Sequence, residues 1–241
     1  MLFKSLRLAL CAAFGLLGLG ILAAPYPKAN GYPLAEAHTY PLVDCMANSD
    51  SESGSITSDQ LKAAFPSHRC DVSAANRECA TLDEAAAGFN YAFNKYNITR
   101  RAEKVAMIAL ASYESGSFAY NINHYPEPGR PGQGTRAMLM YNFIYKYAMD
   151  LYPDEVKQLS AQGTDSDSDD IKNEVRALVL NNNDSFASSS WFLVKVAPQF
   201  HDSGKLKDHN PDPFADYCKE AVGADWNEGR LEVWTAVDQA L

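Results

Sequence analysis

The sequence predicts an all-α protein, with at most a minor β-hairpin inside residues 117–134. Two observations carry this. From Thr81 onward, segment after segment repeats apolar residues at helical spacing, while the period-2 alternation of a half-buried strand is absent. Helix-start signals also stand where the segments begin: Thr81 is followed by Asp83 and Glu84 in a first turn.

Taken in order, the chain opens with Lys4 and Arg7 ahead of the apolar run LALCAAFGLLGLGILAA, which ends in small residues before Pro25. A charged start, an apolar stretch and a small-residue end describe a secretory signal peptide over 1–24. Residues 25–56 are rich in Pro, Ser, Gly and Asn and read as a flexible leader or linker. A single helical domain is expected over 57–241. It begins with a short helix at SDQLKAAF and continues with a helix capped by Thr81 that runs through AAAGFNYAFNKYN. The helix RRAEKVAMIALASYES is expected to be capped by Thr99. A Pro/Gly/Asn/aromatic loop fills 117–134, and a further helix is expected from near Thr135 through TRAMLMYNFIYKYAMDLY. Shorter helical segments follow at PDEVKQLS, IKNEVRALVL, SFASSSWFLVKVA, PFADYCKEAV and GRLEVWTAVDQAL. On SFASSSWFLVKVA, Trp191 reads as a core residue.

The whole chain carries a net charge of −9, and loses two more cations if the leader is cleaved. An acidic product is a poor partner for nucleic acid, and after signal cleavage no membrane association is expected. With Cys11 removed, Cys45, Cys70, Cys79 and Cys218 remain, an even number for an oxidising compartment. Cys70–Cys79 is the preferred local bridge, with Cys45–Cys218 tying the leader to the C-terminal region. Asn97-Ile98-Thr99 and Asn183-Asp184-Ser185 are glycosylation sequons. The acidic run at 165–170 lacks the glycine and glutamate positions of a calcium loop and reads as a solvated segment. No metal and no cofactor is expected, and the product should be a secreted, extracellular monomer.

The stretch MIALASYESGSFAYNINH bears most on function. On a helix, Glu114 lies in line with Ala111, Leu110 and Met107, so it leaves an apolar face where Gly116 breaks the periodicity. A carboxyl in that setting suits a general acid for glycosidic bonds. Tyr120, Asn121, Asn123 and His124 follow, and rings beside amides suit a sugar cleft. Gly129, Gly132 and Gly134 leave room for close approach to a ligand. Between residues 115 and 149 the only other acid is Glu127, the possible second carboxylate. A partner at roughly 5–5.5 Å would give retention and one at roughly 6.5–9.5 Å inversion. Without a partner, Glu114 alone would serve first as acid and then as base.

ALASYESGSFAYN resembles the first active-site motif of the lysozyme-like superfamily, especially the soluble lytic transglycosylases and goose-type lysozymes. PGQGTRAMLM resembles their second motif, with Arg136 standing where those families place an apolar residue. The chain is also similar to secreted lysozyme-like proteins of filamentous fungi. The resemblance implies a lysozyme-like helical domain with Glu114 as catalytic acid and Ser115 beside it on the cleft wall. It places Gln133, Gly134 and Met138 or Met140 on the substrate floor. The function it implies is a muramidase or lytic transglycosylase-like enzyme acting on β-1,4-linked N-acetylhexosamine polymers, that is, peptidoglycan, chitin or chitosan. The alternative is a non-catalytic carbohydrate-binding or interaction protein keeping the same fold.

Overall fold

The structure, a computed structural model, describes residues 54–73, 77–163 and 165–241. These belong to one compact unit, Ser49–Leu241. The expected signal peptide, Cys45 and most of the expected leader lie outside the described residues. Among the described residues the architecture is all-α, and the only sheet-like features are isolated bridges such as Ile122–Gly134 and Gly134–Leu139.

The helices are α1 (Ser58–Ala64), α2 (Leu82–Lys95), α3 (Arg101–Glu114), α4 (Tyr141–Leu151), α5 (Pro153–Leu159), α6 (Asp169–Ala177), α7 (Asn182–Trp191), α8 (Pro198–His201), α9 (Asp212–Tyr217) and α10 (Glu228–Ala240). Both α7 and α9 run on into a π-helical turn, Phe192–Val196 and Cys218–Val222. Thr81 caps α2 as expected: its hydroxyl accepts from the Glu84 amide and the Glu84 carboxylate accepts from the Thr81 amide. Thr99 does not cap α3. The capping position is Arg100, and no side chain closes that end.

Helix α3 is buried from Ala102 to Ser112 and packs against α10, while α2 packs against α7. The α2–α7 crossing is tight at Gly88, where an added Cβ would lie 2.6 Å from Phe186 Cδ2 and 2.8 Å from its Cβ. Phe65, Phe89, Phe118 and Phe186 meet edge-on in the core with ring centroids 5.0–5.8 Å apart. Trp191 is a core residue as expected, and its indole nitrogen donates to Asp150 at 2.7 Å.

Two further expectations need correction. Helix α4 starts at Tyr141, not near Thr135, because residues 135–138 form a turn with Thr135 and Met138 in the left-handed region, and Leu139 bridges back to Gly134. An interior helix cannot accommodate that backbone. Ile56, assigned to the leader, sits in the core, and Asn90 brackets its main chain with bonds of 2.7 and 2.8 Å. Cys70–Cys79 is bridged. Cys218 is a buried thiol with no disulfide partner among the described residues, and its expected partner Cys45 lies outside them. Burial pushes the Cys218 thiol up to about 12, so it stays protonated. The acidic run is exposed as expected except at Asp167, which is half-buried and accepts from the Tyr141 hydroxyl at 2.5 Å and from Ser160 at 2.7 Å.

Candidate functional site

The segment from Glu114 to Met140 is positioned by three parts of the chain distant in sequence. Helix α3 ends at Glu114 because Gly116, Ser117 and Phe118 follow in succession with positive φ, a run no right-handed helix contains. This reversal turns the Phe118 ring back into the aromatic core. Ser115 stabilises it and is fully buried. Its hydroxyl donates to Ala111 O at 2.6 Å and accepts from the Phe118 amide at 3.0 Å. The residue expected on a cleft wall is therefore a lock at the helix end.

Glu114 is oriented towards α10. Arg230 donates from Nη2 to Glu114 Oε1 at 2.5 Å, and the Arg230 side chain is only 7% exposed. The same guanidinium lies 4.2 Å from the centroid of the Tyr113 ring and donates from Nε to Asp225 O at 3.0 Å. Tyr113 and Asn227 exchange a bond beside it. Glu114 thus joins α3 to the start of α10 as half of a partly buried ion pair.

Beyond Phe118 the chain is irregular, and two charged side chains hold it. Arg136 is fully buried and donates to Phe118 O (3.0 Å), Tyr120 O (2.8 Å) and Glu78 O (2.6 Å). Glu78, beside the Cys70–Cys79 bridge, accepts from the Asn121 and Ile122 amides at 3.2 Å and contacts His124 Nε2 at 2.7 Å. Irregular backbone leaves amides and carbonyls without ladder partners, and these two side chains supply them. Arg176, at the end of α6, donates to Gln133 O, and burial holds its guanidinium below the usual arginine range.

The other expected site residues are brought onto this loop, but most of them brace it. Asn121 is buried and donates to Leu180 O at 3.4 Å. Asn123 accepts from the Tyr125 and Arg130 amides at 3.1 and 3.0 Å. Gln133 donates to Met138 O at 3.0 Å, across the turn that contains Gly134. Glu127 is exposed at the loop tip, where it lines a pocket of about 520 Å³ with His124, Tyr125 and Pro128. The glycines make room for the protein itself. A Cβ on Gly129 would lie 2.0 Å from Asn123 O, one on Gly132 2.6 Å from the Tyr141 ring, and one on Gly134 2.7 Å from Arg176 Cδ and Asn121 O. Facing solvent are Tyr120 (52% exposed), His124, Tyr125 (83% exposed), Arg130 and Met140, together with Glu127. Tyr120 stacks edge-on with His124, and Arg130 reaches the Met140 sulfur at 3.8 Å.

Sequence reasoning missed Glu78, Arg136 as a brace, and Arg230. Arg136 carried one signal, as a charge standing where the resembled families are apolar. The only hint of Glu78 is its place next to Cys79, and nothing local marks Arg230. Among the described residues, no group of three or more His, Cys, Asp or Glu side chains is placed to hold a metal ion.

No protein-family model matches the chain, and no solved structure matches it. The chain is similar to a bifunctional dioxygenase–epoxy alcohol synthase of Fusarium oxysporum, at 35% identity over 154 residues. The match covers 62% of this chain and 11% of that protein, so the chain corresponds to a small part of its relative. This similarity overturns the expectation of a glycan-cleaving enzyme or a sugar-binding relative of one, and the glycosidase assignment with it, because the relative is named for oxygen chemistry.

Proposed function

We propose that this chain is a helical accessory module for an oxygenase of the dioxygenase–epoxy alcohol synthase kind, contributing a docking surface and not the oxygen chemistry. The observation that carries it is the division of labour in the loop. Asn121, Asn123, Gln133 and Arg136 bond to main chain and hold the backbone, while Tyr120, Tyr125 and Met140 stay exposed on that braced support beside His124, Glu127 and Arg130. Exposed aromatic and Met side chains on a rigid frame suit a protein interface, because little conformational freedom is lost on binding. The similarity names the partner class. In the Fusarium protein, the matching segment is a small part of a much longer chain. We also propose that the fold is lysozyme-like in one respect, a buried helix ending at a glutamate beside a long loop.

The test uses the full chain and the Fusarium oxysporum enzyme lacking its matching segment. The two should bind, and Tyr125→Ala should weaken binding on the order of tenfold or more, as expected for a central aromatic at an interface. Oxygen uptake should require the enzyme and be absent with the chain alone. Failure to bind, or oxygen uptake by the chain alone, would overturn the proposal.

A further inference from the structure

The two sequons sit in opposite structural settings, and that difference selects one of them. Asn97 follows the last turn of α2 with φ 52°, the left-handed position at which a helix is commonly terminated. The Ile98 amide donates to Phe93 O at 2.8 Å and the Asn97 amide to Asn94 O at 3.4 Å, the paired bonds of a Schellman ending. Ile98 is buried and anchors the turn, while Asn97 and Thr99 on either side of it are exposed. Because Thr99 does not cap α3, its hydroxyl is uncommitted. Among the described residues neither its side chain nor that of Asn97 has a hydrogen-bond partner. An acceptor amide and the hydroxyl that a glycosylating enzyme must read are therefore both presented from one rigid, solvent-facing turn.

Asn183 is exposed, but it lies in the first turn of α7, and the hydroxyl of its sequon is inaccessible. Ser185 is fully buried, and its hydroxyl faces the interior. Asp184 between them is also buried, accepting from Tyr152 at 2.5 Å and from Asn181 at 2.6 Å. Reading Asn183 would require the start of α7 to unwind.

We infer that Asn97 is an N-glycan acceptor and that Asn183 is not. In the transfer, Asn97 Nδ2 attacks the anomeric carbon of an oligosaccharide carried on a lipid diphosphate. The N–C bond forms as the C–O bond to the diphosphate breaks, the amide loses one proton, and the lipid diphosphate leaves. The Cys70–Cys79 bridge is compatible with passage through the oxidising compartment where this chemistry occurs.

The test is secretion of the full chain behind a host signal from a eukaryotic cell. Treatment with peptide N-glycosidase and peptide mass mapping then follow. One glycan is expected, with Asn97 converted to Asp on release. Thr99→Val should abolish it without disturbing the left-handed residue, and Thr99→Ser should keep it. Asn97→Gln should abolish it and Asn183→Gln should leave it unchanged. A glycan on Asn183, or none on Asn97 in the secreted protein, would overturn the inference.

Discussion

Two neighbouring regions are each closed by charges from distant sequence, in different ways. At the end of α3, Glu114 meets Arg230, so one carboxylate–guanidinium pair fastens two helices. Along residues 118–140, Glu78 and Arg136 bond almost entirely to main-chain amides and carbonyls. Helices satisfy their own backbone, so their contact needs little more than a point attachment. A loop cannot, so its charged side chains are absorbed into holding its shape. A charge in the first region can be lost with local damage. In the second region its loss leaves several buried groups unpaired.

The largest effect should come from Arg136→Met, which leaves the Tyr120 and Glu78 carbonyls without a donor, while Phe118 O keeps the Ala80 amide. At about 1–3 kcal/mol for each unsatisfied group, a loss of about 3 kcal/mol in unfolding free energy is expected from urea titration. Cys79→Ser comes next, opening a bridge of sequence separation 9 at a cost of about 2–3 kcal/mol. Faster amide exchange at Asn121 and Ile122 should accompany it, because Glu78 loses its anchor. Glu114→Gln should cost about 1–2 kcal/mol by leaving Arg230 without its anion, while amide exchange in the loop stays unchanged. A neutral or stabilising result there would break the comparison.

Smaller still is a pH effect. The Arg77 guanidinium beside Glu84 holds its carboxyl down to about 2. A depressed carboxyl adds stability above its unfolded value of about 4.3 and loses it as pH falls towards 2. Urea midpoints should therefore decline over that window, and less steeply in Arg77→Gln. Tyr125→Ala should change stability by no more than about 0.5 kcal/mol, since its ring is exposed.

The helical series and the Thr81–Glu84 cap were legible because both are written in spacings of three and four residues. The candidate site was legible only as a loop. Asn121, Asn123 and Gln133 do fall on one braced segment, but Glu114 turns to α10 and takes its partner from a residue 116 positions later, which no local pattern records. Arg136 read as a residue of a helix because its neighbours Ala137, Met138 and Leu139 are helix formers. The buried carbonyls that bend the chain around it are visible only in three dimensions. Thr99 failed as a cap for a related reason. The Asn97 turn fixes the entry to α3 before that side chain is reached.

Gly88 shows how one missing carbon can govern distant geometry. Helices α2 and α7 touch there with no clearance, and each is coupled to the loop: α2 through Glu84 to Arg77 in the bridged segment, and α7 through Ser185 O to the Arg136 amide. In a machined assembly, a shim under one bearing surface misaligns every part registered to it. A methyl group at position 88 would be such a shim, and the exposed tyrosines would be carried out of register without any atom near them having changed.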